Sequence, residues 1–204
     1  MEFGSCEVAC LDKVLRSRRD VRGNNFLDKK ISSKKIEKIL KAGIMAPSVG
    51  YSQPWRFAVI KSKKKRKKIY KNFQKEYKKS KSHFSNPTYN KLKLEGIKES
   101  YINIAVFYKK PKRKILGQTS QKKMGEYSVV CAVQNMWLMA RALNIGIGWV
   151  SILKPKSVKK VLKVGSEYKL VAYLCVGYVK EFLDEPELKK LEWEREMFLD
   201  EVML

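Results

Sequence analysis

The chain has 204 residues, with 45 Lys and Arg against 20 Asp and Glu, so its formal net charge is +25. A hydrophobic fraction of 44% is typical of a single folded domain and argues against a disordered chain. No stretch approaches the roughly 20 apolar residues of a membrane span, and the four cysteines match no zinc pattern, so we expect a reduced, cytoplasmic protein without a metal site.

The amino-terminal part carries an unusual cluster of charges. Residues 1–5, Met-Glu-Phe-Gly-Ser, are typical of a cloning scar, and one domain is expected over 6–204. A short helix is predicted over 7–18. It ends in Arg-Ser-Arg-Arg-Asp-Val-Arg, residues 16–22, where Asp20 lies among arginines. Guanidinium groups suit a phosphate because they donate paired hydrogen bonds in one plane. A surface salt-bridge cluster is the alternative, and this segment alone does not decide between the two.

The next helix and loop contain a second candidate site. A serine N-cap and apolar residues on one face predict a helix over 31–47, which stops at Pro47. The loop over 46–55 then offers two prolines, a glycine, two serines and Gln53. Such a loop can present backbone donors and polar side chains to a ligand. An ordinary connector is the alternative, but the length of the loop and its aromatic residues, Tyr51 and Trp55, favour binding.

A strand over 55–61 leads into the most basic part of the chain. Apolar residues recur at helical spacing within the lysine-rich segment 61–82, which predicts a helix with one buried stripe: Ile69, Tyr70, Phe73 and Tyr77. We favour a solvated helix face over a nucleic-acid surface, because no nucleic-acid-binding motif accompanies the lysines. A modest helical pattern over 86–100 and a strand over 101–108 follow.

The strongest helical pattern covers 124–144. The residues expected on its periodic face are Tyr127, Val130, Cys131, Gln134, Trp137, Leu138 and Arg141. Because much of this helix is apolar, it is predicted to be central. Cys131 and Cys175 lie in apolar runs and are predicted to be buried.

The carboxyl-terminal half contains a strand rich in glycine. In Ile-Gly-Ile-Gly-Trp-Val-Ser-Ile, residues 145–152, the glycines indicate the close approach of a flat ligand or of another backbone, and Ser151 follows directly. A β-bulge with an incidental serine is the alternative. A short helix over 154–164 and a long apolar strand over 168–179 come next. The tail over 180–204 has no core of its own and is expected to wrap around a partner subunit. The whole pattern predicts an α+β fold with a small mixed sheet between helices.

Together these segments resemble the nitroreductase-like flavoproteins and, more closely, the BluB-type 5,6-dimethylbenzimidazole synthases. The motifs that carry the resemblance, in the family's order, are RRDVR, APSVGYSQPW, LKLEGI, YSVVCAVQNMWLMARA, GIGWVSIL, YLCVGYV and PEL followed by W-x-R. Nitroreductases often have serine where Asp20 stands, so Asp20, the loop and LKLEGI point to the synthase branch. Gln118 and Gly125 depart from the family, which commonly has Arg and Asp there.

The resemblance implies an oxygen-dependent enzyme that consumes reduced FMN as its substrate. It would release 5,6-dimethylbenzimidazole, the lower ligand of vitamin B12, and erythrose 4-phosphate. It also implies a nitroreductase-like fold, a domain-exchanged homodimer with the flavin at the interface under a lid, and a separate flavin reductase. Asp20 and Ser151 occupy the family's catalytic positions. The residues implied in FMN binding are Arg18, Arg19, Arg22, Ser48, Gln53, Pro54, Leu94, Gly148, Trp149 and Arg195.

The chemistry of the residues agrees with this implication. Fragmenting FMN needs proton transfers at the ribityl chain, so a carboxylate beside phosphate-binding arginines is well placed as a base. We expect the arginines to lower the pKa of Asp20. The alternative function is an FMN-dependent NAD(P)H nitroreductase that recycles its flavin. A third possibility is a protein that binds flavin or nucleic acid through its lysine face without catalysis.

Overall fold

The structure is a computed structural model that describes residues 2–84 and 88–204. Within these residues, eight α-helices and four strands are interspersed along the chain. The helices are α1 (Ser5–Ser17), α2 (Ser33–Ile44), α3 (Lys63–Ser80), α4 (Thr88–Lys91), α5 (Met124–Ala142), α6 (Pro155–Leu162), α7 (Glu187–Lys190) and α8 (Leu199–Val202). The strands are β1 (Trp55–Ile60), β2 (Ile102–Lys109), β3 (Gly146–Trp149) and β4 (Tyr168–Gly177).

The strands form one sheet in the order β1-β2-β4-β3, and every neighbouring pair is antiparallel. In the part of the chain that the structure describes, parallel pairing is limited to a single bridge between Asp20 and Ile147. The prediction of an α+β fold with a small sheet is therefore confirmed. The prediction that the sheet mixes parallel and antiparallel pairing is met only by that bridge, because the segment after α1 touches the edge strand β3 at one point.

Helices cover both faces of the sheet, which explains why β2 and β4 are so apolar. On β2, Ile104 and Val106 point to a core shared with α2 and α5. Ala105 and Phe107 point to the opposite side, where α3 and α6 pack. The helices α3 and α6 contact each other through residues such as Ile69 and Val158.

The central helix α5 is predicted correctly in extent but not in orientation. Its buried residues are Gly125, Ser128, Val129, Ala132, Val133, Met136, Trp137 and Ala140. Tyr127 and Val130 are exposed, and the prediction that Cys131 is buried is wrong, since its side chain lies on the exposed face. The prediction for Cys175 is confirmed. Because α5 is apolar almost all round, its periodicity does not reveal which face points inward.

The ends of the predicted elements are set by local hydrogen bonds. Ser32 and Ser62 cap α2 and α3, since their hydroxyl groups accept the N–H groups of Lys35 and Lys65. The helix α1 includes Ser5 of the predicted cloning scar. Residue 1 of that scar, and residues 86 and 87 of the helical pattern predicted over 86–100, lie outside the described residues. No helix in the described ranges is long and apolar enough to cross a membrane.

Candidate functional site

The arginine-rich segment leaves α1 in an extended conformation and lies along β3. Arg18 ends the helix with φ −67° and ψ 131°. Two residues later, Asp20 forms its bridge with Ile147, and the Val21 N–H donates to the Ile147 carbonyl at 3.0 Å. The segment therefore acts as a short additional strand, which places the charged side chains beside the strand that carries the glycines.

Gly148 makes this close approach possible. A Cβ atom at position 148 would lie 2.1 Å from the Val21 carbonyl oxygen, so any larger residue would push the segment away. The glycines are expected to allow the close approach of a flat ligand or of another backbone, and at Gly148 the structure shows another backbone. As a result, the Trp149 N–H donates to Asp20 Oδ1 at 2.9 Å. The glycine thus positions a carboxylate.

Asp20 is held from two sides. Its Oδ1 accepts the Trp149 N–H, and its Oδ2 lies 2.7 Å from Arg22 Nη2. Burial raises the pKa of Asp20, although Arg22, the Trp149 N–H and Arg18 all act to lower it. The arginines act on this pKa in the expected direction, but the loss of hydration outweighs them, so the pKa of Asp20 is raised rather than lowered. The carboxylate is consequently a stronger base than an exposed aspartate.

The three arginines have different surroundings. The Arg18 guanidinium stacks over the Trp137 ring at 5.0 Å. Arg22 binds Asp20 and lies 3.7 Å from Glu187. Arg19 Nη1 donates to the carbonyls of Arg16 and Arg18, at 2.6 and 2.8 Å, and its Nη2 donates to the Asp184 carbonyl.

Arg19 Nε, in contrast, is buried and has no hydrogen-bond partner among the described residues. Arg19 therefore fastens the end of α1 to the tail and leaves one donor free.

A cavity of about 220 Å³ opens beside these residues. Arg19, Asp20 and Arg22 line it, so the structure brings these three predicted residues together. The sequence did not identify its other polar lining residues as site residues; they are Asn24, Asn25, Lys180, Glu181 and Glu187. Glu187 lies in the PEL motif, and the resemblance carried by this motif was the one sequence signal that could have identified Glu187 as a site residue.

Trp149 and Ser151 lie at the end of β3. The Trp149 ring is 6.4 Å from that of Trp137, on which Arg18 stacks. Ser151 is exposed two residues later, and its hydroxyl group forms no hydrogen bond within the described ranges. This hydroxyl is therefore available to a ligand next to the Asp20 site.

The loop over 46–55 lies elsewhere in the protomer. Ser48 Oγ accepts the Gln53 N–H at 3.1 Å, and the Val49 N–H donates to Ser128 Oγ near the amino end of α5. Gln53 and Pro54 line a different cavity, of about 200 Å³. Ser128 contacts the loop, and Trp137 contacts the arginine segment. These two residues of α5 are about 14 Å apart along the helix axis. One protomer therefore does not bring Ser48, Gln53 and Pro54 into the arginine cavity.

The lid motif LKLEGI lies next to the arginine segment. The Gly23 N–H donates to the Glu95 carbonyl at 2.7 Å, and Gly96 approaches the Phe26 ring so closely that a Cβ atom would be 2.5 Å from it. Leu94 is partly buried against the core on the α3 side of the sheet. This segment, which the resemblance implies is a lid, is thus attached directly after Arg22.

The tail carries the last predicted site residue. Arg195 is exposed and paired with Glu201, so within one protomer it does not reach the arginine cavity. The expectation that the tail has no core of its own is wrong at Trp193, because the ring of Trp193 packs 5.9 Å from Phe84 and 6.1 Å from Tyr89. Beyond Trp193 the apolar side chains of the tail are exposed.

Arg141, a residue that the sequence did not single out, supports the segment from the other side. Its Nε donates to the Ser17 carbonyl at 3.0 Å, and its guanidinium stacks on Phe182 at 4.0 Å. Burial and the nearby Arg19 lower the pKa of Arg141. No group of His, Cys, Asp and Glu residues that could hold a metal ion occurs in the described part of the chain.

Comparison with known proteins finds similarity along nearly the whole chain. The profile of the Nitroreductase family matches residues 15–178. The 5,6-dimethylbenzimidazole synthase of Rhodospirillum rubrum is 37% identical over 189 residues, which cover 90% of this chain and 89% of that protein. The similarity therefore extends over nearly the full length of both proteins.

Solved structures share the fold. A BluB-like flavoprotein from Clostridium difficile has a TM-score of 0.71 at 22% identity, and the match covers 95% of this chain and 97% of that one. Oxidized iodotyrosine deiodinase bound to FMN and 3-iodo-L-tyrosine has a TM-score of 0.72 at 22% identity, over 85% of this chain and 91% of that one.

Proposed function

The chain belongs to the nitroreductase family, and on this basis we propose that it converts reduced FMN and oxygen into 5,6-dimethylbenzimidazole and erythrose 4-phosphate. The near-full-length similarity to a 5,6-dimethylbenzimidazole synthase supports this proposal. The structural observation that carries it is the placement of Asp20. A carboxylate with a raised pKa lies in a cavity that Arg19 and Arg22 also line, and it is held by the Trp149 N–H and Arg22.

The residues around the cavity suit a flavin phosphate. Arg19 and Arg22 line the cavity with guanidinium groups and Lys180 adds a further positive charge, while Glu181 and Glu187 lie on the same wall as acids. A cavity of about 220 Å³ is smaller than the roughly 300–1,000 Å³ of typical ligand pockets, so it suits one end of the flavin. Arg18, Arg19 and Arg22 would hold the phosphate, helped by Arg195.

The rest of the flavin would lie at a subunit interface. Ser48, Gln53 and Pro54 are remote from the arginines within one protomer, and a second copy of the chain can bring its own loop to the site. Gly148 and Trp149 would lie close to the flavin ring, and Leu94 would lie in the lid above it. The exposed apolar tail supports a homodimer in which the tail is exchanged.

Each catalytic residue has a distinct task. Reduced FMN supplies the electrons that oxygen consumes. Asp20 would accept a proton from the ribityl chain, and its raised pKa makes it a better base for that purpose. The Ser151 hydroxyl would donate a hydrogen bond to the reacting flavin. The lid would exclude water while the reaction proceeds. A separate flavin reductase would supply the reduced FMN.

Incubation with chemically reduced FMN in air tests this function. The protein, without NAD(P)H, should produce 5,6-dimethylbenzimidazole, which mass spectrometry detects, and less oxidised FMN should be recovered than reduced FMN was added. Reduced riboflavin, which lacks the phosphate, is the matched control and should give far less product. Full recovery of oxidised FMN in this assay, together with steady NAD(P)H oxidation in a separate assay that contains NAD(P)H, would instead identify a nitroreductase that recycles its flavin.

A further inference from the structure

A larger cavity, of about 490 Å³, lies at the amino end of α3 and shares no lining residue with the cavity beside Asp20. Its charged lining residues are Asp28, Lys61, Lys63, Arg66, Lys98 and Glu99. None of the residues assigned above to flavin binding or catalysis lines it. The four cations outnumber the two acids, and Glu99 already accepts the Lys98 N–H at 3.2 Å.

The placement of lysines around this cavity is electrostatically unfavourable on its own. The amino end of a helix carries a partial positive charge, which favours acidic side chains there. The first turn of α3 instead has lysines at 63, 64 and 65 and no acidic residue. Lys61 precedes the helix and Lys98 faces it across the cavity. Such an arrangement is stabilised when an anion occupies the cavity.

Arg66 supplies an independent indication of a ligand. Its side chain is buried, with 5% of its surface exposed, yet Nε has no hydrogen-bond partner among the described residues. Its Nη1 donates to the carbonyls of Ile97 and Lys98, at 3.4 and 3.3 Å, and to that of Ser100. Its Nη2 donates to no residue in the described ranges. Nε is sealed from solvent, so Nη2 is the donor of this guanidinium that remains free for an oxygen of an anion.

We propose that this cavity binds a phosphate monoester. The free Nη2 of Arg66 would donate to a phosphate oxygen, and Lys61 and Lys63 would neutralise the dianion. The N–H groups of Lys63 and Lys64 point out of the helix end, whereas that of Lys65 is already bound by Ser62. A volume of about 490 Å³ accommodates a small phosphorylated metabolite rather than inorganic phosphate alone. This site is separate from the proposed flavin site and does not rest on the proposed reaction.

Calorimetric titration with glycerol 3-phosphate, at constant ionic strength, tests the proposal. The double variant Lys61→Ser/Lys63→Ser should bind it about tenfold more weakly than the unmodified protein. The matched control is Lys67→Ser/Lys68→Ser, which removes the same charge from exposed positions on the same helix and should retain the affinity. The variant Arg22→Ala, which alters the cavity beside Asp20, should also retain the affinity for glycerol 3-phosphate. Arg66→Lys keeps the charge but loses the Nη2 donor that faces the anion, so it should also weaken binding while circular dichroism shows a folded protein.

Three results would overturn the site. If both double variants lose affinity for glycerol 3-phosphate equally, the lysines act only as a general cationic surface. Both variants should then lose affinity for a DNA duplex to the same extent. Unchanged affinity in Lys61→Ser/Lys63→Ser would remove these lysines from binding. Loss in Arg22→Ala would place the phosphate in the cavity beside Asp20.

Discussion

Asp20 shows how burial can reverse the effect of neighbouring charges. The sequence reveals the arginines around it, and those alone predict a lowered pKa. The structure adds the contact with β3, which partly buries the carboxyl group and raises its pKa. The identity of this residue as a site residue was therefore predictable, but its acid–base behaviour was not, since burial depends on contacts between distant segments.

The raised pKa predicts how stability depends on pH. The folded protein binds the Asp20 proton more tightly than the unfolded chain, so this contribution to stability is complete below an unfolded pKa of about 3.9 and is lost as the pH rises through the folded pKa. Asp20→Asn removes the cost of the ionised, buried carboxylate. Its Tm should exceed that of the unmodified protein near neutral pH, and the difference should shrink towards about pH 4. A difference that does not change with pH, measured by calorimetry, would contradict the raised pKa.

Ser151 is predicted to assist the reaction with oxygen. Its hydroxyl is exposed and free of hydrogen bonds within the described residues, two positions after the Trp149 N–H that binds Asp20. Ser151→Ala should bind reduced FMN normally but return oxidised FMN and hydrogen peroxide, with product lowered by about 10-fold or more. Product and peroxide are measured in the same samples. A normal product yield would remove Ser151 from the mechanism.

At the scale of elements, β3 connects the fold to the site. Gly148→Ala would place a Cβ atom 2.1 Å from the Val21 carbonyl oxygen, so the segment that carries Asp20 must move. We expect a loss of about 2–3 kcal/mol in unfolding free energy and of most flavin binding. Gly165→Ala is the control, because its Cβ would meet only the mobile side chain of Glu167. If urea unfolds both variants at the same concentration, the close approach does not position the segment.

Local patterns predicted most elements, because capping and alternation depend on neighbours in sequence. The serine cap of α2 and the apolar runs of β2 and β4 are examples. The orientation of α5 was not predictable, since its residues are apolar on nearly every side and packing decides which face is buried. The contact of Trp193 with Tyr89 was missed for a similar reason, as it joins segments about a hundred residues apart.

At the scale of the molecule, two groups stand out among the exposed apolar residues. One lies at the end of α2 and on α5 and includes Met45, Tyr127 and Val130; the other is the end of the tail, with Phe198 and Leu199. Exposed apolar groups of this extent are typical of surfaces that a partner covers. They are consistent with the proposed homodimer, in which the tail of one subunit would cover part of the other.

Removal of residues 197–204 should therefore weaken the dimer. Met197, Phe198 and Leu199 are mostly exposed in the protomer, and their burial against a partner would stabilise the dimer by about 1.5–3 kcal/mol for each large side chain. Sedimentation of the shortened protein should show monomers at micromolar concentrations at which the full chain is dimeric. Lys189→Ser, an exposed change in the same tail, should leave the dimer intact. A full chain that is monomeric at those concentrations would contradict the proposed exchange of tails between subunits.

The most direct test of the proposed reaction is the fate of reduced FMN in the unmodified protein and in Asp20→Asn, measured side by side after one exposure to air. The amide keeps the shape of the carboxyl group but cannot accept a proton, so flavin affinity should hold while dimethylbenzimidazole formation falls by roughly 10²–10⁴-fold. Oxygen should still oxidise the flavin in the variant. Unchanged product from Asp20→Asn, or no product from the unmodified protein, would contradict the proposed mechanism.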